Sequence, residues 1–287
     1  MSVIAAAGIL GLVVGSFLNV VIHRLPVMLD REWRRQCREL AGGPAAEEPP
    51  PPRYDLVVPR SACPACGTTI RAVHNVPVLS YLALRGRCAA CGHRISPRYP
   101  LVEAATGAVS ALVAWHFGPT VECAGALLLC WTLIALTGID LEHQLLPDVL
   151  TLPLLWLGLA FALAGGADGG YRSIGSLQDG VIGAMAGYGM LWAFYHAFRL
   201  ATGKEGMGYG DFKLLAALGA WLGWQALPVV ILVGSVVGSV IGIGLVLVRG
   251  RDRNLPIPFG PFLAGGGFVA LLWGHDLVHA WRGASGL

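Results

Sequence analysis

Two aspartates at the ends of apolar segments are the residues best suited to do chemistry in this chain. Asp140 ends the apolar stretch that contains Gly138 and Ile139, and Asp211 directly follows Gly210 in a glycine-rich stretch. Acids inside or at the end of a membrane span are rare and usually functional. Two carboxylates held together cannot both ionise easily, so one keeps a proton while the other activates water. The pair therefore indicates acid–base chemistry of the kind that cleaves peptides.

Each aspartate also has an ordinary structural interpretation. Asp140 could cap a helix or extend to water at a membrane surface, and Asp211 could be the N-cap of the helix that it precedes. Glycine within two residues of each aspartate permits close approach of backbone, which favours a built site. Three further acids near the same segments are alternatives or supporting groups, namely Glu103, Glu142 and Asp148.

Four cysteines form a second cluster of chemical residues. Cys63 and Cys66 make one C-x2-C pair, and Cys88 and Cys91 make another after twenty-one intervening residues. Each pair suits a tight turn that directs two sulfurs at one point, and four thiolates in tetrahedral geometry suit Zn²⁺. Two disulfides are the alternative. Zinc is favoured if the loop lies in the cytosol, where thiols stay reduced.

The composition of the chain places these residues in a membrane protein. Of 287 residues, 55% are hydrophobic and only 13% are charged, and the mean hydropathy is +0.64. This excludes a soluble enzyme, a disordered chain and a small disulfide-rich domain. A net charge of +3 is too small to argue for nucleic acid as a partner.

Eight apolar segments predict an all-helical polytopic protein. Several approach the length of about 20 residues that spans a bilayer. Helices are expected over residues 3–22, 101–117, 123–139, 149–166, 178–198, 212–223, 227–248 and 259–280. The sixth is short. The first could be a signal peptide, but it lacks a basic n-region and leads into His23-Arg24-Leu25-Pro26, so a retained span is expected.

The distribution of Lys and Arg predicts the orientation. If the eight segments alternate across the bilayer, eighteen of the twenty basic residues lie on one side, and only Arg172 and Arg282 lie on the other. Basic residues collect on the cytoplasmic side. Both termini are therefore expected outside and the large loop, residues 23–100, in the cytosol. This loop opens with a charged, amphipathic stretch over 30–35, followed by a proline-rich spacer over 42–52.

Several motifs together carry a resemblance to a known family. Gly208-Tyr209-Gly210-Asp211 resembles the GxGD motif of intramembrane aspartyl proteases. The chain as a whole resembles the type IV prepilin peptidases, which also methylate pilins. The matching segments are Gly15 to Pro26, the two cysteine pairs, Ile95 to Glu103, Asp140 with Leu146-Pro147-Asp148, Gly206 to Lys213, and Ile257 to Phe262. The proline-rich insert is longer than the family pattern suggests, and Leu146 stands where isoleucine is common.

The resemblance implies two activities in one chain. The first is cleavage of a short basic leader from a prepilin or pseudopilin at the cytosolic face of the bacterial inner membrane, with Asp140 and Asp211 as catalytic residues. The second is transfer of a methyl group from S-adenosylmethionine to the new N-terminal amine. Glu103, Gly210 and Lys213 are candidates to support the substrate or the methyl transfer, and Cys63, Cys66, Cys88 and Cys91 to bind structural zinc.

The resemblance also implies a division of labour along the chain. Residues 1–22 form the first transmembrane helix, residues 23–100 the zinc-binding loop associated with methyl transfer, and residues 101–287 a seven-helix peptidase domain. Because relatives that lack the loop only cleave, a chain with the loop is expected to perform both reactions. Either a pilus or a type II secretion system is a suitable pathway.

Three other functions remain open on the sequence alone. A related peptidase could act on a different membrane substrate, and a non-enzymatic scaffold could use the zinc-stabilised loop to hold partners. A polytopic transporter could line an ion path with acids. The transporter predicts inverted repeats and helices interrupted at mid-membrane. Here the key acids are expected at one membrane face, and the two halves show no obvious repeat.

Overall fold

A computed structural model describes residues 2–41, 53–164, 176–249 and 257–285. These residues are helical apart from loops and two isolated antiparallel bridges, so the predicted all-helical class is confirmed for the described part of the chain. The expected proline-rich spacer, Arg172, Arg251, Arg253 and the last two residues of the fourth predicted segment lie outside the described residues. The chain divides into two compact units, Met1–Pro119 and Thr120–Leu287, here called the N-terminal and C-terminal units.

The N-terminal unit is a pair of packed helices with a loop between them. Helix α1 covers Val3–Leu40 and α3 covers Arg98–Phe117, and the loop contains a 3-10 turn, Ala72–Asn75, and the short helix α2, Leu79–Ala83. The two long helices pack closely because α1 presents glycines to α3. A Cβ added at Gly15 would lie 2.8 Å from the Cα of Glu103, which leaves no room for a side chain.

Helix α1 extends well beyond the predicted apolar segment of residues 3–22. It continues without a break past Pro26 to Leu40. The extension is polar and is stabilised by ion pairs along its own surface, with Arg34 Nε 2.8 Å from Asp30 and Arg35 Nη2 2.8 Å from Glu32. Pairs at this helical spacing support a helix outside an apolar environment. The amphipathic stretch predicted over 30–35 is therefore part of α1.

In the described residues, the C-terminal unit contains six helices, with a short one at the centre. The helices are α4 Val121–His143, α5 Asp148–Ala164, α6 Leu177–Thr202, α7 Tyr209–Leu222, α8 Leu227–Arg249 and α9 Gly260–Ser285, with a 3-10 turn at Trp224–Ala226 before α8. Helix α7 contacts α5, α6, α8 and α9. Every residue of α7 from Asp211 to Leu222 is buried except Lys213. A helix that is apolar all round is suited to such a position.

Glycines allow α6 to approach α7 at backbone distance. Cβ atoms added at Gly183 and Gly219 would each collide with the carbonyl of the other residue. Gly183 and Gly219 are therefore part of the packing face between α6 and α7. Since α7 carries Asp211, this contact fixes one of the candidate catalytic elements against its neighbour.

Within the described residues, each of the eight predicted segments overlaps a helix, but not all of these helices have the dimensions of a membrane span. Among the described residues, four helical stretches are long and apolar enough to cross a bilayer, Val3–Leu40, Val121–His143, Trp224–Leu245 and Gly260–Ala280. The chain is therefore a multi-pass membrane protein. Crossing by α3, α5, α6 and α7 stays a prediction. Helix α7, with 14 residues, is about 21 Å long and is shorter than the bilayer core of about 30 Å.

Candidate functional site

Asp140 lies in the last turn of α4 and points into the C-terminal unit. Its side chain is 5% exposed, so the interpretation that it extends to water is wrong. The carboxylate Oδ2 accepts a hydrogen bond of 3.1 Å from the backbone N–H of Gly260, the first residue of α9. A Cβ at Gly260 would lie 2.6 Å from this oxygen, so only glycine permits the contact.

Asp211 lies in the first turn of α7 and is also buried, with 6% exposure. The N-cap of α7 is Gly208, so the interpretation of Asp211 as the N-cap is wrong. Its backbone N–H donates to the carbonyl of Gly208 at 3.2 Å. Within the described part of the chain, its Oδ1 atom is buried without a hydrogen-bond partner. A buried polar atom in this state is expected at a site that receives water or a ligand.

The fold brings the two aspartates into one site. The two carboxyl groups lie close enough to interact electrostatically. Leu146, in the turn after α4, packs between the two segments, since Cβ atoms at Gly210 and Gly260 would lie 2.7 Å and 3.1 Å from its side-chain atoms. The C-terminal end of α4, the start of α7 and the start of α9 thus converge around Leu146.

This packing explains the glycine before Asp211 and makes a prediction. Gly210→Ala places a methyl group against the Cβ of Leu146, which no rotamer change can move, and should displace the start of α7. We expect leader cleavage to fall by about tenfold or more, since small misplacements of reacting groups lower rates strongly. The measurement is the initial rate of cleavage of a prepilin by the purified variant.

Gly208→Ala is the matched control for Gly210→Ala. The nearest atom to a Cβ at Gly208 is Asp211 Oδ2 at 3.8 Å, an ordinary contact. Both variants replace a glycine of the same motif by the same residue. If Gly208→Ala lost as much activity as Gly210→Ala, the explanation from Leu146 would be wrong.

The two remaining candidates of the C-terminal unit have different surroundings. Gly210 contacts Leu146 as described. The Nζ atom of Lys213 lies 2.7 Å from both carboxylate oxygens of Asp148, the first residue of α5. Lys213 is thus held by an acid of the same unit. Support of the substrate or of methyl transfer by Lys213 stays a prediction.

Glu103 lies in the N-terminal unit, near the start of α3. Its Oε2 atom accepts a hydrogen bond of 2.8 Å from the backbone N–H of Val78, the residue before α2. Val78 has a φ of 60°, which is unusual for a β-branched residue. The carboxylate therefore holds the loop in a conformation that the residue itself disfavours.

The structure also shows an anchor of the loop to which the sequence analysis gave no role. Arg24 of α1 is 8% exposed and donates to the carbonyl oxygens of Asp55, at 2.9 Å, and Pro59, at 2.6 Å. Hydrogen bonds from the backbone of Val58 and then Val57, together with the Arg53 side chain, lower the pKa of Asp55 to about 2. The signal in the sequence is a basic residue that lies just after an apolar segment.

The four predicted zinc ligands form one cluster in the loop. The sulfur atoms of Cys63, Cys66, Cys88 and Cys91 all lie within 4.8 Å of one another. All seven cysteines of the chain are free, which disfavours the two-disulfide alternative. Each pair lies in a turn closed by an isolated bridge, Ala62 with Thr69 and Arg87 with Arg94. The remaining cysteines, Cys37, Cys123 and Cys130, belong to no such group.

The pKa values of the clustered thiols differ widely from one another. Hydrogen bonding with the side chain and backbone of Thr68 lowers the pKa of the Cys66 thiol to about 6. For Cys91, a backbone hydrogen bond with His93 lowers the pKa, but desolvation and the three other cysteines outweigh it and raise the value to about 11. Four sulfurs this close cannot all be thiolates without a positive charge between them. A divalent metal would supply that charge.

The sequence matches two family models that together account for most of its length. Residues 9–117 match the bacterial peptidase A24 N-terminal domain, and residues 127–243 match the type IV leader peptidase family. The chain belongs to the type IV leader peptidase family. The resemblance drawn from its motifs is thereby confirmed, and the family is one of proteases.

Curated relatives agree along nearly the whole chain. A protein named prepilin leader peptidase/N-methyltransferase from Aeromonas hydrophila is 58% identical over 267 residues, which cover 93% of this chain and 89% of the relative. Relatives of the same name from Stutzerimonas stutzeri and Burkholderia pseudomallei are 52% identical over 278 residues and 53% identical over 272 residues. These alignments cover 97% and 94% of this chain, and 93% and 85% of the relatives. No solved structure matches the chain.

Proposed function

We propose that this protein cleaves the leader peptide from prepilins or pseudopilins and methylates the new N-terminal residue with S-adenosylmethionine. The observation that carries the proposal is the buried pair of Asp140 and Asp211, brought together by the packing of Leu146. The names of the relatives support the same two activities. The match of residues 127–243 to the type IV leader peptidase family favours this function over a transporter or a scaffold.

The pair suits peptide hydrolysis by general acid–base catalysis. One carboxylate takes a proton from a water molecule, whose oxygen attacks the scissile carbonyl carbon. The other carboxyl group, which is protonated, gives its proton to the leaving amine as the C–N bond breaks. Gly260 N–H holds Asp140 in place, and the open Oδ1 of Asp211 is available to the water or the substrate.

Methyl transfer is proposed for the cytosolic loop of residues 23–100 together with Glu103. The amine nitrogen attacks the methyl carbon of the sulfonium, the carbon–sulfur bond breaks, and S-adenosylhomocysteine leaves. The amine must be unprotonated, and a carboxylate is a suitable acceptor for its proton. Glu103 is half-buried beside the loop, and its Oε2 already accepts the Val78 N–H. The peptidase chemistry is assigned to residues 101–287.

Structural zinc is proposed for the cysteine cluster. Cys63, Cys66, Cys88 and Cys91 offer four sulfurs in a loop that has little core of its own, and Zn²⁺ bound by four cysteines stabilises such loops directly. The metal would fix the two turns to each other. We further propose that the loop and both active sites face the cytosol, as the basic residues indicate.

One assay tests the proposed function. Detergent-purified protein is incubated with a prepilin, with and without S-adenosylmethionine, and the mass of the substrate is recorded. Loss of the leader mass in both samples, with the gain of one methyl group only when the donor is present, is the expected result. A prepilin of unchanged mass would contradict the proposed peptidase, and a cleaved product without added methyl would contradict the methyltransferase.

Glu103→Gln tests the proposed proton acceptor. Glutamine keeps an oxygen that accepts the Val78 N–H, so the loop should stay anchored while the acidic group is lost. We expect methylation of pre-cleaved pilin to fall by about tenfold to a hundredfold, and leader cleavage to stay within about twofold of wild type. The measurement is methyl incorporation with labelled donor.

Glu103→Ala separates the chemical role from the anchoring role. Alanine loses both the carboxylate and the acceptor for Val78. Methylation by Glu103→Gln that is close to wild type, with a loss only in Glu103→Ala, would show that Glu103 acts as an anchor of the loop. That result would contradict its assignment as a proton acceptor.

A further inference from the structure

The ion pair between Lys213 and Asp148 lies beside the two aspartates but has no part in the chemistry proposed for them. Lys213 follows Asp211 by two residues on α7, and Asp148 follows Asp140 by eight residues at the start of α5. The ammonium nitrogen contacts both carboxylate oxygens at 2.7 Å. The pair therefore joins the helix that carries one aspartate to the segment that follows the other.

The connection from Asp140 to Asp148 is short and internally fixed. Gln144 ends α4 in a left-handed conformation with φ 52°, and its N–H donates to the carbonyl of Asp140 at 2.9 Å. The carbonyl of Pro147 accepts from the N–H groups of Leu150 and Thr151, both at 3.0 Å. Because hydrogen bonds fix both ends of this turn, a shift at the start of α5 would also move the end of α4, where Asp140 lies.

Leu146 in this turn makes the position of Asp148 matter for the site. Its side chain fills the space beside Gly210, at the start of α7, and beside Gly260, whose N–H holds Asp140. A shift of the turn relative to α7 would move Leu146 against one of these glycines. The distance between the two carboxylates therefore depends on how the turn is fixed to α7.

The ion pair helps to fix the turn against α7 and contributes little to the free energy of unfolding. The side chain of Asp148 is 54% exposed and that of Lys213 is 29% exposed, and pairs of this kind stabilise a fold little. Helices α5 and α7 are also joined by a buried hydrogen bond. Trp221, which is fully buried, donates from Nε1 to the carbonyl of Leu154 at 2.7 Å. This contact is about 12 Å along α7 from Lys213.

We infer that the Lys213–Asp148 ion pair is a positioning device for the peptidase, which sets the separation of Asp140 and Asp211 by fixing the start of α5 to the first turn of α7. This inference rests on the proposed function and adds a role for two residues in it. Neither residue is a catalytic residue, since each acts through the backbone that carries an aspartate.

The experiment compares kcat and KM for prepilin cleavage in four variants. Lys213→Met and Asp148→Asn should each lower kcat by about tenfold to a hundredfold with KM within about twofold, because substrate contacts stay intact while the acid–base pair is misplaced. Lys213→Arg should recover most of the activity. The double variant should be no slower than either single variant, because both remove the same contact.

Trp221→Phe is the matched control. It removes a different polar contact between α5 and α7, so it should lower the thermal midpoint of unfolding while kcat stays within about twofold of wild type. A general loosening of the helix pair would instead lower kcat in Trp221→Phe and in Lys213→Met alike. That outcome would overturn the inference.

The other outcomes are equally decisive. An unchanged kcat for Lys213→Met, a rise in KM alone, or additive losses in the double variant would overturn the positioning role. Wild-type protein in the same preparation separates this failure from that of the proposed function. If wild type cleaves prepilin and Lys213→Met cleaves it equally well, only the inference is wrong, whereas wild type that cleaves nothing would overturn both.

Discussion

Replacement of either aspartate, as Asp140→Asn or Asp211→Asn, is expected to reduce leader cleavage at least about a hundredfold in a protein that still folds and inserts. General acid–base groups typically contribute about 10²- to 10⁴-fold, and groups that act as a unit lose nearly everything when one is removed. Asparagine is nearly the size of aspartate, so the packing around Leu146 is retained. In Asp140→Asn, the new side-chain amide can still offer an oxygen to the Gly260 N–H.

Asp179→Asn is the control for the loss of a carboxylate. Asp179 lies in the first turn of α6 and accepts hydrogen bonds from Ser176, Trp224 and Gln225, none of which belongs to the site. It should cleave within about twofold of wild type. The measurement is the single-turnover rate of cleavage, with thermal unfolding as the check on folding. Activity within a few-fold of wild type in Asp140→Asn or Asp211→Asn would remove that residue from the mechanism.

The double variant strengthens this test. If Asp140 and Asp211 act on one water and one peptide bond, Asp140→Asn/Asp211→Asn should be no slower than the slower single variant. The single variants should also still methylate pre-cleaved pilin, since methyl transfer is assigned to the loop and Glu103. A folded Asp211→Asn protein that transfers no methyl group would show that the two reactions share a site.

Removal of one cysteine ligand is expected to have the second large effect. The purified protein should contain about one Zn²⁺ per chain, and Cys63→Ser, Cys66→Ser, Cys88→Ser or Cys91→Ser should reduce this to near zero. Binding of structural zinc contributes about 10–16 kcal/mol in zinc-finger peptides, so its loss should unfold the loop. Metal analysis and limited proteolysis of residues 53–97 measure the two consequences.

Cys37→Ser is the matched control for the cysteine variants. Cys37 is an exposed free thiol on the polar extension of α1 and is not part of the sulfur cluster. It should keep its metal and its resistance to proteolysis. Fresh protein without metal, or a Cys88→Ser variant that binds as much zinc as wild type, would show that the cluster is not a zinc site.

Part of this protein is determined by its sequence alone because the signals are local. Apolar segments of helical length predict the helices, since buried or lipid-facing backbone must satisfy its own hydrogen bonds. In the part of the chain that the structure describes, each of the eight predicted segments overlaps a helix. Cysteine spacing predicts the sulfur cluster because a C-x2-C turn brings its own two sulfurs together. Asp140 and Asp211 stand out as candidate catalytic residues because each lies near glycine in apolar surroundings. An acid in such surroundings is unfavourable and is usually kept for a function.

Other features depend on contacts between residues far apart in the sequence, and only the tertiary structure decides them. Helix α7 has only 14 residues, so its length does not identify it as a membrane span. The structure shows that it packs against four other helices, and such a helix can be short. Polar residues 30–40 extend α1 through ion pairs on its own surface, which hydropathy does not register. Gly260 donates a hydrogen bond to Asp140, which is 120 residues away in the sequence. Leu146 packs between Gly210 and Gly260. Both contacts form only when α4, α7 and α9 converge. The sequence supplies the two carboxylates, and the packing of these three helices makes them a pair.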